Sequence, residues 1–142
     1  MPSDFYLKTG NALHRVILGI TRGRVGWHVA KMPVLELTTT GRKSGVPRSV
    51  MLTSPLQEDN AIVIVASRGG DDKHPAWFLN LRDNPQVVVA YMGKQKEKMT
   101  ARIATDIERE RMWPLITTRY KGYAVYQTKT KREIPLVILN KA

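Results

Sequence analysis

The stretch Val34-Leu35-Glu36-Leu37-Thr38-Thr39-Thr40-Gly41-Arg42-Lys43-Ser44-Gly45-Val46-Pro47-Arg48 decides the fold class, because it reads as a strand, a turn and a second strand. From Val34 to Thr39 the β-branched residues and partial alternation suit a pleated, half-buried surface. Gly41 and Gly45 supply a tight turn, and the next strand runs from about Pro47 to Leu56. Glu58-Asp59-Asn60 turns the chain into a third strand, Ala61-Ile62-Val63-Ile64-Val65-Ala66. Three short strands in succession predict an antiparallel meander.

Beyond it, Pro75 is placed to open a short helix carrying Trp77, Phe78 and Leu81. Val87 to Tyr91 and the alternating stretch from Met99 to Ile103 predict another hairpin. Asp106 is a candidate N-cap for a helix through Trp113, and Ile134 to Leu139 forms a last strand. On the N-terminal side, Leu13, Val16, Ile17 and Ile20 follow i, i+3, i+4, i+7 spacing beside Lys8, His14, Arg15 and Arg22. This predicts an amphipathic helix within residues 1–22, packed on the core or attached peripherally to a membrane. Gly23, Gly26 and Pro33 end that pattern. The expected class is α+β: about six mainly antiparallel strands with three helices, closed or nearly closed into a barrel that protects the sheet edges.

A chain of 142 residues fits one domain, with the barrel core expected over residues 32–142. Cysteine is absent, so disulfides, thiolate metal sites and a cysteine nucleophile are excluded, and a reducing cytoplasm is the expected compartment. No segment has the ~18 consecutive apolar residues that a membrane span requires, and no secretory leader is indicated. The net charge of +11 predicts attraction to polyanions, anionic membrane surfaces or an anionic small molecule. The basic residues are spread from Lys8 to Lys141, unlike the contiguous stripe with which proteins track a phosphate backbone.

Three segments could carry chemistry. In the turn from Thr38 to Arg48, glycines allow inward-pointing N–H groups, while Arg42, Lys43 and Arg48 supply charge-assisted donors for phosphate or carboxylate. The structural alternative is an ordinary hairpin with solvated basic residues. Neither the phosphate-loop order nor Gly-x-Gly-x-x-Gly is present. The segment from Ala66 to Trp77 runs from a strand end into a helix start and offers the Ser67 hydroxyl and the Arg68 and Lys73 cations at one rim. Its plain reading is a connecting loop with Trp77 in the core. Tyr120, Tyr123 and Tyr126 share a broad face if their segment is helical, suiting either core packing or a pocket with phenolic proton donors. His14, His28 and His74 lack metal-ligand spacing, no metal site is expected, and no Gly-x-Ser-x-Gly elbow presents a nucleophile.

The succession of Leu35 to Gly45, Val65-Ala66-Ser67, Pro75 to Leu81, Asn84-Pro85, Trp113-Pro114, the three tyrosines and Ile134-Pro135-Leu136-Val137 resembles the deazaflavin-dependent nitroreductases and F420-dependent quinone reductases, within the split-barrel flavin-binding group. The resemblance runs from about Val34 to Leu139. It implies a split β-barrel reductase in which Arg42, Lys43 and Arg48 hold the anionic phospholactyl and glutamate tail of coenzyme F420. Ser67, Arg68, Lys73 and Trp77 bound the cofactor site, and Tyr120, Tyr123 and Tyr126 line the substrate side. The implied reaction is hydride transfer to a quinone, an enone or a nitroaromatic. Thr53 stands where some nitro-reducing members carry an aromatic residue, which favours quinones and enones over bulky nitroaromatics.

Rival readings keep the barrel but place FMN, haem or pyridoxine chemistry in its groove, or make the chain a basic nucleic-acid-binding or membrane-associated protein without catalysis. No specific nucleic-acid partner is expected. The expected partners are the anionic cofactor and a small electron acceptor, in a monomer or homodimer that is cytoplasmic or touches the inner face of the membrane.

Overall fold

The sequence around Gly41 and Gly45 folds as the expected hairpin, with Gly45 at φ 71°, a conformation that glycine adopts without penalty. The computed structural model describes His28, Val29 and residues 31–142; the helix expected within residues 1–22 lies outside them. The described strands are β1 (His28–Val29), β2 (Met32–Thr40), β3 (Pro47–Thr53), β4 (Leu56–Glu58), β5 (Ala61–Val65), β6 (Gln86–Tyr91), β7 (Glu97–Ile103) and β8 (Leu136–Lys141). Helix α1 (Ala76–Asp83) lies between β5 and β6, while α2 (Asp106–Arg119) and α3 (Lys121–Thr128) lie between β7 and β8. The strands form one curled antiparallel half-barrel in the order β1-β2-β6-β7-β8-β5-β4, with β3 also paired to β2.

Burial explains why β5 is a continuous apolar run. Ile62 and Ile64 join the core inside the curl, with Leu35, Leu37, Val87, Val89, Val137 and Leu139, and α1 adds Trp77, Phe78 and Leu81. Val63 and Val65 belong instead to a second core with Leu136 and Ile138, covered by Met112 and Ile116 of α2 and Tyr123 of α3. A strand covered on both faces loses polar alternation.

Five expectations change in the structure. The second strand does not run to Leu56: it stops at Thr53, and the chain turns a corner at Ser54-Pro55 before β4. Ser54 is fully buried, its N–H donates to Pro33 O, and its hydroxyl hydrogen-bonds Val63 O at 2.6 Å and Leu56 O at 3.0 Å. β3 therefore does not continue a meander into β4, and β5 pairs with β8.

The cap of α2 is Thr105 rather than Asp106, with a reciprocal Thr105–Glu108 box. The Arg102 guanidinium and the Thr105 backbone together hold the Glu108 carboxyl down to about 2. The helix also runs past Trp113 and through Pro114 to Arg119, because Met112 and Ile116 are packed in the core on either side of the proline. Finally, the last strand begins at Leu136, not Ile134, because the Ile134 N–H and carbonyl are taken by the side chains of Gln127 and Arg109.

Candidate functional site

The β2–β3 hairpin, β3, the end of β5, the loop before α1, and α3 enclose a groove of about 1710 Å³. Segments far apart in sequence meet there: Asn80 of α1 accepts from Arg42 in the hairpin turn, Tyr123 of α3 meets Thr53 at the end of β3, and Gly70 after β5 packs on Tyr126. All ten residues singled out from the sequence, Arg42, Lys43, Arg48, Ser67, Arg68, Lys73, Trp77, Tyr120, Tyr123 and Tyr126, line this groove.

Their environments divide them. Arg42 is tied to α1: its backbone N–H and its Nη1 donate to Asn80 Oδ1 at 3.1 and 3.2 Å. Lys43 and Arg48 are exposed at the rim. Arg68 forms a 3.0 Å ion pair with Asp71, in which both side chains are largely buried. Lys73 is exposed and donates its backbone N–H to Asp71 Oδ1. Trp77 is 8% exposed and belongs to the interior core while one edge faces the groove. Arg42 and Lys43 thus stand in the turn of the hairpin, Arg42 held there by Asn80, while Arg48 lies on β3 opposite Thr39.

The tyrosines also separate. Tyr123 is buried, and its hydroxyl donates to Met32 Sδ at 3.5 Å and lies 3.5 Å from Thr53 Oγ1, the latter at the outer limit for an oxygen partner. Burial pushes its phenol up from the ordinary tyrosine range, against a smaller opposite effect of the Thr53 hydrogen bond. It keeps its proton and anchors α3 on the sheet. Tyr126 meets it edge-to-face at 6.1 Å and is half-buried, as is Tyr120 at the junction of α2 and α3.

Several residues at or behind the groove wall carry no local sequence signal. Asn80, 5% exposed, completes the tie to the hairpin by donating Nδ2 to Thr39 Oγ1 at 3.1 Å. His74 packs on Phe78 at 4.6 Å and has its Nδ1 3.2 Å from Arg132 Nη1. Burial, followed by the Arg132 and Arg82 charges, holds its imidazole below the usual histidine range. Because a guanidinium only donates, His74 Nδ1 accepts, and the ring is neutral with its proton on Nε2. Gly70 packs against the backbone of Tyr126, where an added Cβ would lie 2.7 Å from the carbonyl oxygen.

The Asn80 tie is testable by thermal unfolding. Asn80→Ala leaves the buried Thr39 hydroxyl and the Arg42 N–H without their partner and is expected to cost about 2–3 kcal/mol. Asn80→Asp keeps an acceptor for Arg42 and is expected to cost less; equal loss in both variants would contradict this account.

A groove with an apolar floor and a basic rim suits a flat ring bearing an anionic tail, and comparison with known proteins gives this arrangement a family. The family model described as F420H(2)-dependent quinone reductase matches residues 13–141. The chain belongs to that family. An F420H(2)-dependent quinone reductase of Mycobacterium tuberculosis is 36% identical over 133 residues, covering 91% of this chain and 88% of that protein. A solved F420-H2 dependent reductase, FDR-A, is 44% identical with a TM-score of 0.66 over 76% of this chain and 94% of its own. A solved domain-swapped dimer is 40% identical with a TM-score of 0.69, over 94% of this chain and 99% of its own. Membership makes the chain an oxidoreductase with coenzyme F420 as its cofactor; FMN was only the alternative. No helix among the described residues is long and apolar enough to cross a membrane.

Proposed function

We propose that this family member uses the groove to hold reduced F420 and passes its hydride to a quinone or enone. The observation that carries the reading is the meeting in one groove of the basic hairpin, the Ser67 loop and the tyrosine helix. The donor set fits the cofactor. Lys43 and Arg48 at the rim, backed by Arg42, match the several negative charges of its tail, and Val50, Leu52 and Trp77 offer apolar surface to its ring. FMN, with one phosphate, needs fewer cations than the hairpin provides.

When bound, the reduced deazaflavin supplies two electrons as hydride, since carbon replaces the reactive nitrogen of a flavin. The chain's own residues do the rest. Lys43 and Arg48 bind the tail, while the Ser67 loop and Trp77 bound the ring and keep it in one orientation. The acceptor gains negative charge on oxygen, or on carbon for an enone, and needs a proton. Tyr126 and Tyr120, half-buried on the groove, hold phenolic protons for it, whereas the Tyr123 hydroxyl is engaged with Thr53 and Met32. Cytoplasmic residence, peripheral membrane contact through residues 1–22, and a homodimer as the alternative to a monomer belong to this same reading.

The test is anaerobic turnover with reduced F420 and soluble quinones and enones, followed by the return of the oxidised cofactor's fluorescence. Tyr126→Phe or Tyr120→Phe is expected to lower kcat about a hundredfold at unchanged cofactor affinity. Tyr123→Phe is expected to remain near wild type. Normal turnover in all three variants would remove the phenols from the mechanism.

A further inference from the structure

Arg132 lies in the loop between α3 and β8, and its guanidinium reaches back across the groove wall to residues about sixty positions earlier. Nε donates to Asp71 O at 2.8 Å, Nη2 to Ser67 O at 2.8 Å, and Nη1 to Ala66 O and His74 Nδ1, each at 3.2 Å. Four of its five N–H donors are thereby used, on four acceptors spread from the end of β5 to the approach to α1. Only a planar fork with donors on three nitrogens can serve them together; a lysine ammonium radiates from a single point.

The wall so clasped is unusual in its backbone. Arg68, Gly69 and Gly70 have φ of 46°, 64° and 84°, so a non-glycine residue stands in a left-handed run that a free loop would leave. Arg132 holds the carbonyls of Ala66 and Ser67 toward itself, and peptide planarity then fixes the planes of the two peptides that lead into this run. Ser67, Arg68 and Gly69 all line the groove. The loop carrying Arg132 is itself held: Gln127 Nε2 donates to Arg132 O at 2.7 Å, Gln127 Oε1 accepts the Ile134 N–H at 2.9 Å, and Arg109 Nη2 donates to the same oxygen at 3.1 Å.

We propose that Arg132 is the positioning residue of the cofactor-side wall, clasping Ala66, Ser67, Asp71 and His74 so that Ser67 to Gly69 present a fixed surface to the ring of the bound deazaflavin. Its own side chain does not enter the reaction. The proposal rests on the F420 reading for what the wall receives, but the clasp itself is a property of the cofactor-free chain.

The experiment therefore has two readouts on the full chain. In the first, amide hydrogen exchange is followed by NMR without cofactor in wild type, Arg132→Lys and Arg132→Ala. The Gly70 and Asp71 amides, which donate to Ser67 O and Arg68 O, are expected to exchange about tenfold faster in both variants, with the amides of β5 and β8 unchanged. In the second, F420 titration is expected to show affinity about tenfold weaker. Guanidinium chloride in the tens of millimolar is expected to restore affinity to Arg132→Ala, while potassium chloride at equal ionic strength does not. Unchanged exchange at Gly70 and Asp71, acceleration spread evenly through the chain, or lost affinity that guanidinium leaves unrestored would overturn the proposal. Local acceleration in a protein whose wild type binds no F420 would uphold the clasp and overturn the cofactor reading instead.

Discussion

Gly70→Ala is expected to destabilise the protein by about 2–4 kcal/mol, the sum of a left-handed alanine and an overpacked backbone contact. At φ 84° an L side chain is strained whatever the space around it. Here there is no space: the new Cβ would sit 2.7 Å from Tyr126 O, 3.1 Å from Tyr126 Cα and 3.0 Å from Lys129 Cβ. Two of those three atoms are backbone, so rotamer changes cannot relieve the contact, and α3 must shift away from the Ser67 loop. For a domain with a total stability of about 5–15 kcal/mol the change is a large share, visible as a thermal midpoint lower by roughly 10 °C. Gly122→Ala is the control. It lies in α3, the helix that Gly70 packs against, with nothing within 4 Å of the added methyl, and is expected to stabilise the helix by about 0.5–1 kcal/mol. Calorimetry of the two variants checks the pair; a Gly70→Ala protein as stable as wild type would mean that the loop and α3 are not in contact.

The second large effect is on binding. Lys43→Ala with Arg48→Ala is expected to weaken F420 binding about a hundredfold, roughly tenfold for each charge-assisted contact. The salt dependence of affinity is expected to flatten as the two exposed cations are removed. Arg42→Ala adds a structural loss. Its guanidinium rests on Asn80 Oδ1, a neutral acceptor that leaves its charge in place, so its removal takes away a cation and also loosens the hairpin, and is expected to lower both the salt slope and the thermal midpoint. Isothermal titration at several salt concentrations, with thermal unfolding of the same variants, separates the cases. A wild-type thermal midpoint in Arg42→Ala, or salt slopes unchanged in every variant, would contradict this account.

These expectations rest on contacts that were legible to different degrees in the sequence. The β2–β3 hairpin was readable because its glycines and its β-branched residues are local signals, and the apolar runs of β5 and β6 announced buried strands. The Ser54 corner was not: Pro47 to Leu56 looks like one strand, and what breaks it is a hydroxyl buried against Val63 O on β5. The Thr105 cap was readable, since Thr105-Asp106-Ile107-Glu108 has the capping-box spacing, but Asp106 drew the assignment by its own propensity. The continuation of α2 past Trp113 follows from the core packing of Ile116, which no local residue announces.

At the groove, the ordered motifs placed the ten candidate residues along one lining, as the structure does. Their individual environments were beyond reach. Nothing near Arg42 indicates that Asn80 holds it, and the spacing of the tyrosines does not tell that the Tyr123 hydroxyl meets Thr53 and Met32. Arg132 is one basic residue among many, with partners separated from it by 58 to 66 positions.

The central claim is that this groove takes the deazaflavin in preference to a flavin. The most direct measurement is titration of the purified protein with oxidised F420, followed by its fluorescence, with FMN as competitor. Saturable F420 binding that a tenfold excess of FMN leaves largely intact, and that rising salt weakens, is the predicted result. Binding of FMN in preference to F420, or of neither, would contradict it.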